Sequence, residues 1–215
     1  MSECKVIAVT AATGGTGVTL FAVTFARALA EEIKTISRPE IALLTLNPYI
    51  TNPTGRYLLS LPAGKTVPDL APLMEYINSQ TVRGFFSAHP AGIDYLAFGQ
   101  PQPGQQIFTP EQFTKLLGLL TQTYSYLIID TGSWFDKYNT AAWDYANLVL
   151  LLTRPEVVAS NQTRDWIKQL TELKFRPQLV KLIVNFVTGK DSLDAKKIAQ
   201  VTAQHPFSLL PADLQ

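Results

Sequence analysis

Lys5-Val-Ile-Ala-Val-Thr-Ala-Ala-Thr-Gly-Gly-Thr-Gly-Val-Thr19 joins an apolar run to a glycine-rich turn. In residues 5–10 aliphatic side chains follow one another with little in/out alternation, the pattern of a strand covered on both faces. After the glycines, Phe21, Ala22, Phe25, Ala26 and Leu29 recur at spacings of three and four and make one apolar helix face. Strand, glycine turn and helix in direct succession is the context of a phosphate-binding loop. Its curled backbone N–H groups and the helix amino terminus together attract an anion. A tight turn that holds no ligand has the same local pattern.

Outward from this turn the alternation continues. Runs at residues 41–46, 93–98, 126–129, 148–153 and 179–184 read as further buried strands. Helical spacing is predicted over 69–79, 110–121, 140–145, 155–173 and 193–203. Thr109 caps a helix that starts at Pro110, and Pro155-Glu156 places a fixed φ and a carboxylate at another amino terminus. Strands alternating with helices imply an α/β fold, a doubly wound, mostly parallel sheet with helices on both faces. Residues 1–215 read as a single domain, and the Gln/Pro/Gly stretch 99–106 as a solvated connection within it.

Composition narrows the function. The chain of 215 residues is 47% hydrophobic, enough for a full core, and only 16% charged, with a net charge of +1. Without a Lys/Arg cluster there is no electrostatic footprint for a phosphodiester backbone, so direct nucleic-acid binding is not expected. Cys4 is the single cysteine, which excludes an internal disulfide and fits a reducing cytoplasm. The longest apolar run, residues 147–153, is far short of the roughly 20 residues of a membrane-spanning helix. No secretory signal pattern opens the chain, and no amphipathic membrane helix follows residues 209–213, so a direct membrane anchor is not expected.

Within the loop, Gly14, Gly15, Thr16, Gly17, Val18, Thr19 and Leu20 are the candidate nucleotide-binding residues. Thr19 stands where a hydroxyl would ligate Mg²⁺, while Val18 stands where a lysine normally reaches the terminal phosphates. Replacing an ammonium by an isopropyl group removes a charge-assisted contact of roughly 1.5–3 kcal/mol. That is a loss of about 10- to 150-fold in affinity. Phosphoryl transfer depends on positioning and charge neutralisation, so turnover suffers more than binding.

The loop resembles that of the MinD/ParA family of P-loop ATPases, whose signature is Lys-Gly-Gly-x-Gly-Lys-Thr. Aligned on it, Thr13 and Val18 replace both lysines. The resemblance implies that the first lysine position serves an ATP-gated dimer. Asp-x-Asp-Pro in the family corresponds to Thr45-Leu-Asn-Pro48, so Thr45 and Asn47 stand in place of both carboxylates. Tyr124-Ser-Tyr-Leu-Ile-Ile-Asp-Thr131 resembles the Walker B strand, which assigns Asp130 to Mg²⁺. Asn185 matches the strand-end Asn that contacts adenine, with Phe186 where an Arg often follows. Leu209-Leu-Pro-Ala-Asp213 resembles the segment beside the base, which adds Pro211. Read without the resemblance, Asp130 and Asn185 are also ordinary turn formers.

Residues 85–99, 109–113, 140–146 and 153–156 are most like the TadZ/CpaE group, which implies a role in assembly or polar placement of Tad-type pili. Relatives in that group often carry an amino-terminal receiver-like domain or a further carboxyl-terminal helix. The expected protein is a non-hydrolysing scaffold that holds ATP or ADP with Mg²⁺ weakly, forms a homodimer and docks on protein partners. The alternatives are a slow ATP-dependent switch, in which Lys5, Lys65, Arg154 or Lys190 replaces the lost lysine, and a ligand-free interaction module. His89 and His205 read as turn residues, and Ser87 has no nucleophile elbow around it. Trp134, Phe135, Tyr138, Trp143 and Tyr145 suit either a partner surface or the core.

Overall fold

The computed structural model describes residues 3–34, 40–47, 53–189 and 193–212. Its eight strands are β1 (Lys5–Ala11), β2 (Ile41–Thr45), β3 (Ser87–His89), β4 (Ile93–Ala97), β5 (Tyr126–Gly132), β6 (Leu148–Thr153), β7 (Val180–Val187) and β8 (Ser208–Pro211). They form one sheet in the order β3-β4-β2-β5-β1-β6-β7-β8, parallel throughout except for the β3–β4 pair. The central strands are apolar because both faces are covered: every residue of β2 and β4 is buried, as is all of β1 after Lys5.

One face is covered by α1 (Val18–Lys34), whose Val18, Ala22, Val23, Ala26 and Ala30 pack on Ile7, Val9, Leu43, Ile128 and Leu150. The short α2 (Thr54–Leu58) lies beside it. The opposite face carries α3 (Pro110–Thr123), α4 (Lys137–Tyr145), α5 (Val157–Glu172) and α6 (Ala195–Thr202). From β1 the chain crosses through α1 to β2 on one side. From β5 it crosses through α4 to β6 on the other side of β1. A doubly wound sheet opens a crevice at such a reversal, above the carboxyl ends of its strands. Here that crevice lies over β1, β2 and β5, so the glycine loop after β1 sits in it.

Several details differ from the sequence reading. The predicted helix 69–79 is a 3₁₀ segment, Val67–Leu73, followed by turns. Pro72 cannot donate an amide hydrogen, and its ring opposes the carbonyl four residues back, so an α-helix cannot run through it. Thr66 and Asp69 cap the segment reciprocally, and Gln105 from the 99–106 connection donates to Asp69 at 2.7 Å. The helix predicted over 155–173 starts at Val157; the Glu156 carboxylate pairs with Arg154 at 3.1 Å instead of capping it. Leu179 belongs to a 3₁₀ turn ahead of β7, and β5 and β7 each continue three residues past their predicted ends. The cap at Thr109 forms as expected, with Gln112 closing the box.

The aromatics after β5 are mainly core. Trp143 is 1% exposed and stacks edge-on with Phe135 and Trp166, at 5.0 and 5.3 Å between ring centroids. Tyr138 packs on Phe98 and Phe113, and its hydroxyl donates to the Phe108 carbonyl. Truncating a buried Trp typically costs about 3–5 kcal/mol. Trp143 has a second task, because its Nε1 donates to the Thr131 hydroxyl at 3.2 Å, and that hydroxyl donates to the Val9 carbonyl at 3.1 Å. The residue beside Asp130 is thereby fixed to both α4 and β1. At one sheet edge, buried Arg56 donates to the Pro62 and Lys65 carbonyls and to the Ser87 hydroxyl, lacing loop 62–65 to β3.

Candidate functional site

Gly15 and Gly17 have φ of +75° and +84°, the left-handed region that side chains rarely adopt, and they curl the loop between β1 and α1. Gly14 has no such need, since a Cβ there would meet nothing within 4 Å. The first helical bond of α1 runs from the Phe21 N–H to the Gly17 carbonyl at 2.8 Å. The N–H groups of Val18, Thr19 and Leu20 therefore have no acceptor within the helix. With the helix dipole behind them, they form an anion site.

The loop is held in this shape by the protein itself. The Thr16 hydroxyl donates to the Thr13 carbonyl at 3.1 Å, and the Asn185 Nδ2 donates to the Thr16 carbonyl at 2.9 Å. Asn185 Oδ1 accepts from the Phe186 N–H at 3.0 Å. Phe186 has φ of +61°, a costly backbone state for a bulky residue, and its ring edge presses on Gly17. A Cβ on Gly17 would stand 2.9 Å from both Asn185 Nδ2 and the Phe186 ring. Asn185, expected at adenine, thus serves as a strut for the loop. Pro211 pairs with Val187 at the end of β8, and Asp213 lies outside the described residues.

A cleft of about 420 Å³ opens in front of the loop. Thr13 through Leu20 line it, with Thr45, Leu46 and Asn47 after β2 and Asp130 through Trp134 at the end of β5, Thr131 excepted. Residues from three distant stretches of chain are thus brought together in one cleft. Asn185 and Pro211 do not line this cleft. Pro48 lies outside the described residues. Gly132, Ser133, Trp134, Thr54 and Leu58 also line it and were not read as site residues. For Gly132 the signal was present, two residues after Asp130 at a strand end.

Asp130 is 2% exposed. Its Oδ1 accepts from the Gly132 N–H at 3.2 Å, while Oδ2 has no hydrogen-bond partner among the described residues. Burial pushes its carboxyl up to about 6; the Thr19 hydroxyl and the Gly132 N–H pull the other way. The Thr19 hydroxyl faces the carboxylate without reaching hydrogen-bond geometry. Among the described residues the buried Thr45 hydroxyl likewise has no hydrogen-bond partner. An orphaned buried carboxylate oxygen beside a threonine hydroxyl, both open to a cleft, fits a hard cation with oxygen ligands.

Of the candidate replacements for the missing lysine, Lys5, Lys65 and Arg154 are occupied or misplaced. Lys5 is at the amino end of β1, the opposite end of the strand from the loop. Lys65 Nζ sits over the Phe85 ring at 4.4 Å and donates to the Gly84 carbonyl. Arg154 pairs with Glu156 and stands over the Phe186 ring at 5.7 Å. Lys190 lies outside the described residues. No lysine or arginine lines the cleft among the described residues.

No protein-family model matches the sequence, and no curated protein matches it significantly. Solved structures do match the fold. A ParA family ATPase from Chlorobium tepidum TLS superposes with a TM-score of 0.82 at 17% identity, covering 99% of this chain and 86% of that one. MinD in the MinC:MinD cell division complex of Aquifex aeolicus gives 0.76 at 18% identity, covering 98% and 82%. The septum site-determining protein MinD of Pyrococcus horikoshii OT3, complexed with Mg-ADP, gives 0.76 at 15% identity, again covering 98% and 82%. The architecture is that of the MinD/ParA P-loop ATPases.

Proposed function

We propose that this chain is a non-hydrolysing scaffold of MinD/ParA architecture that binds a Mg²⁺ nucleotide weakly and acts through protein partners, including a second copy of itself. The observation that carries the proposal is a glycine loop held in a curled shape inside a cleft that, among the described residues, is lined by no lysine or arginine. Thr45 and Asn47 occupy the end of β2 without a carboxylate, which removes a second element of hydrolysis independently of the loop. The ParA and MinD structures of the same fold, one of them with Mg-ADP, support a nucleotide as the ligand.

In this reading the loop amides bind phosphate oxygens, and Thr19 and Asp130 hold the metal. Mg²⁺, when bound, would supply the charge neutralisation that no described side chain of the cleft provides. Ordering of the loop before the ligand arrives lowers the entropy cost of binding and offsets part of the missing ammonium. The setting proposed for the scaffold, assembly or polar placement of a Tad-type pilus, rests on the resemblance of residues 85–99, 109–113, 140–146 and 153–156 to the TadZ/CpaE group.

Two measurements test the proposal. Calorimetry with ADP and Mg²⁺ is expected to give weak saturable heat, and ATP turnover is expected to equal a no-enzyme control. Turnover above that control and lost in Asp130→Ala would establish an ATPase instead. No heat and no thermal shift with any nucleotide would leave only a ligand-free module.

A further inference from the structure

We infer that the cleft is built for a nucleoside diphosphate and disfavours the corresponding triphosphate, with Trp134 as the discriminating side chain. This rests on the reading of the cleft as a nucleotide site. The amides of a phosphate loop cradle the α- and β-phosphates, and a loop lysine serves the β- and γ-phosphates. The first function is retained here and the second is absent, since Val18 is 8% exposed and packs among Ile7, Ala22 and Leu150 on the α1 face.

The cleft runs from the loop to the end of β5, and a third phosphate taking that direction meets an end closed in three ways. Trp134 lies directly on Gly132: a Cβ built there would stand 2.8 Å from Cη2 and 3.0 Å from Cζ3 of the indole. The Gly132 N–H, a backbone donor at this end of the cleft, is already given to Asp130 Oδ1 at 3.2 Å. The charge beside that position is the Asp130 carboxylate, with no cationic side chain among the described cleft residues to oppose it. An added phosphate thus meets an indole wall, and no cationic side chain among the described cleft residues answers its charge. Gly132, at φ of +66°, keeps the backbone turned so that Trp134 faces the cleft.

Titration calorimetry on the full chain in Mg²⁺, with ADP and ATP as separate probes, tests the inference. The unmodified protein is expected to bind ADP about tenfold or more tightly than ATP, which corresponds to about 1.4 kcal/mol. Trp134→Ala is expected to bring the two affinities within about threefold, chiefly by improving ATP. Trp134→Phe, which keeps an aromatic ring and guards against a folding defect, is expected to give an intermediate ratio. Equal or tighter binding of ATP by the unmodified protein overturns diphosphate selectivity while leaving nucleotide binding intact. An ADP preference unchanged in both variants overturns the role of Trp134. Absence of binding by either nucleotide removes the nucleotide site itself.

Discussion

Replacing Asp130 by Asn should stabilise the ligand-free protein at alkaline pH and leave it nearly unchanged at acid pH. The carboxyl is 2% exposed, one of its oxygens has no partner among the described residues, and burial raises its pKa from 3.8 to about 6. A raised pKa means the folded state binds the proton more tightly than the unfolded state. The associated stability is complete below the unfolded pKa and is lost as pH rises through the folded pKa, here between about pH 4 and pH 6. At 1.36 kcal/mol per pH unit, the ionised carboxylate costs the folded state about 3 kcal/mol at pH 8. Asn fills the same space, keeps an oxygen for the Gly132 N–H and carries no charge. Thermal unfolding should therefore show Asp130→Asn melting about 6–12 °C above the unmodified protein at pH 8, with a gap near zero at pH 3.5. Saturating Mg²⁺ nucleotide should close the gap at pH 8, because the cation neutralises the carboxylate only where one is present. An equal gain at both pH values, or none at pH 8, would refute the electrostatic account of this residue.

Three further outcomes follow from the same geometry. Thr13→Lys with Val18→Lys should tighten nucleotide binding by about 10- to 150-fold in calorimetry, yet give no fast ATP hydrolysis while Thr45 and Asn47 remain. Gly17→Ala should lower unfolding stability by more than about 1 kcal/mol and abolish nucleotide heat, since its Cβ meets Asn185 and Phe186 at a left-handed φ. Asn185→Ala should cost about 1–3 kcal/mol in denaturant unfolding by orphaning the buried Thr16 carbonyl, and should speed amide exchange in residues 14–19.

The sheet was legible because its central strands are buried on both faces and consist of little but aliphatic residues, and helical spacing marked the crossovers between them. The edge strands were not. β3 has three residues, alternates half-exposed and exposed positions, and contains Ser87 and His89, so no apolar run announces it. The helix predicted at 69–79 failed for the opposite reason: Leu70, Met74 and Ile77 are buried with helical spacing, but Pro72 forbids the α-helical bond that this spacing suggests. The gathering of Thr19, Asp130 and the loop glycines at one cleft was readable from motif order. The strut role of Asn185 was not, because it depends on β7 ending beside the loop, 169 residues away along the chain. Trp134 was noticed only as one aromatic among five. Its place on the cleft wall follows from the left-handed turn at Gly132, which the sequence does not reveal on its own.

The two rims of the sheet bear on how copies of this protein behave at high concentration. At one rim β3 offers a ladder of three residues, with the Ser87 side chain tied up by Arg56. At the other, β8 is four residues long and ends in Pro211, whose ring nitrogen has no hydrogen to give. A fibril grows by adding strand to strand along an open rim, and rims this short give an incoming chain little to bind. The many buried aliphatic strands are thereby kept out of reach of strand exchange. Crowded solutions of the folded chain should stay free of cross-β assemblies.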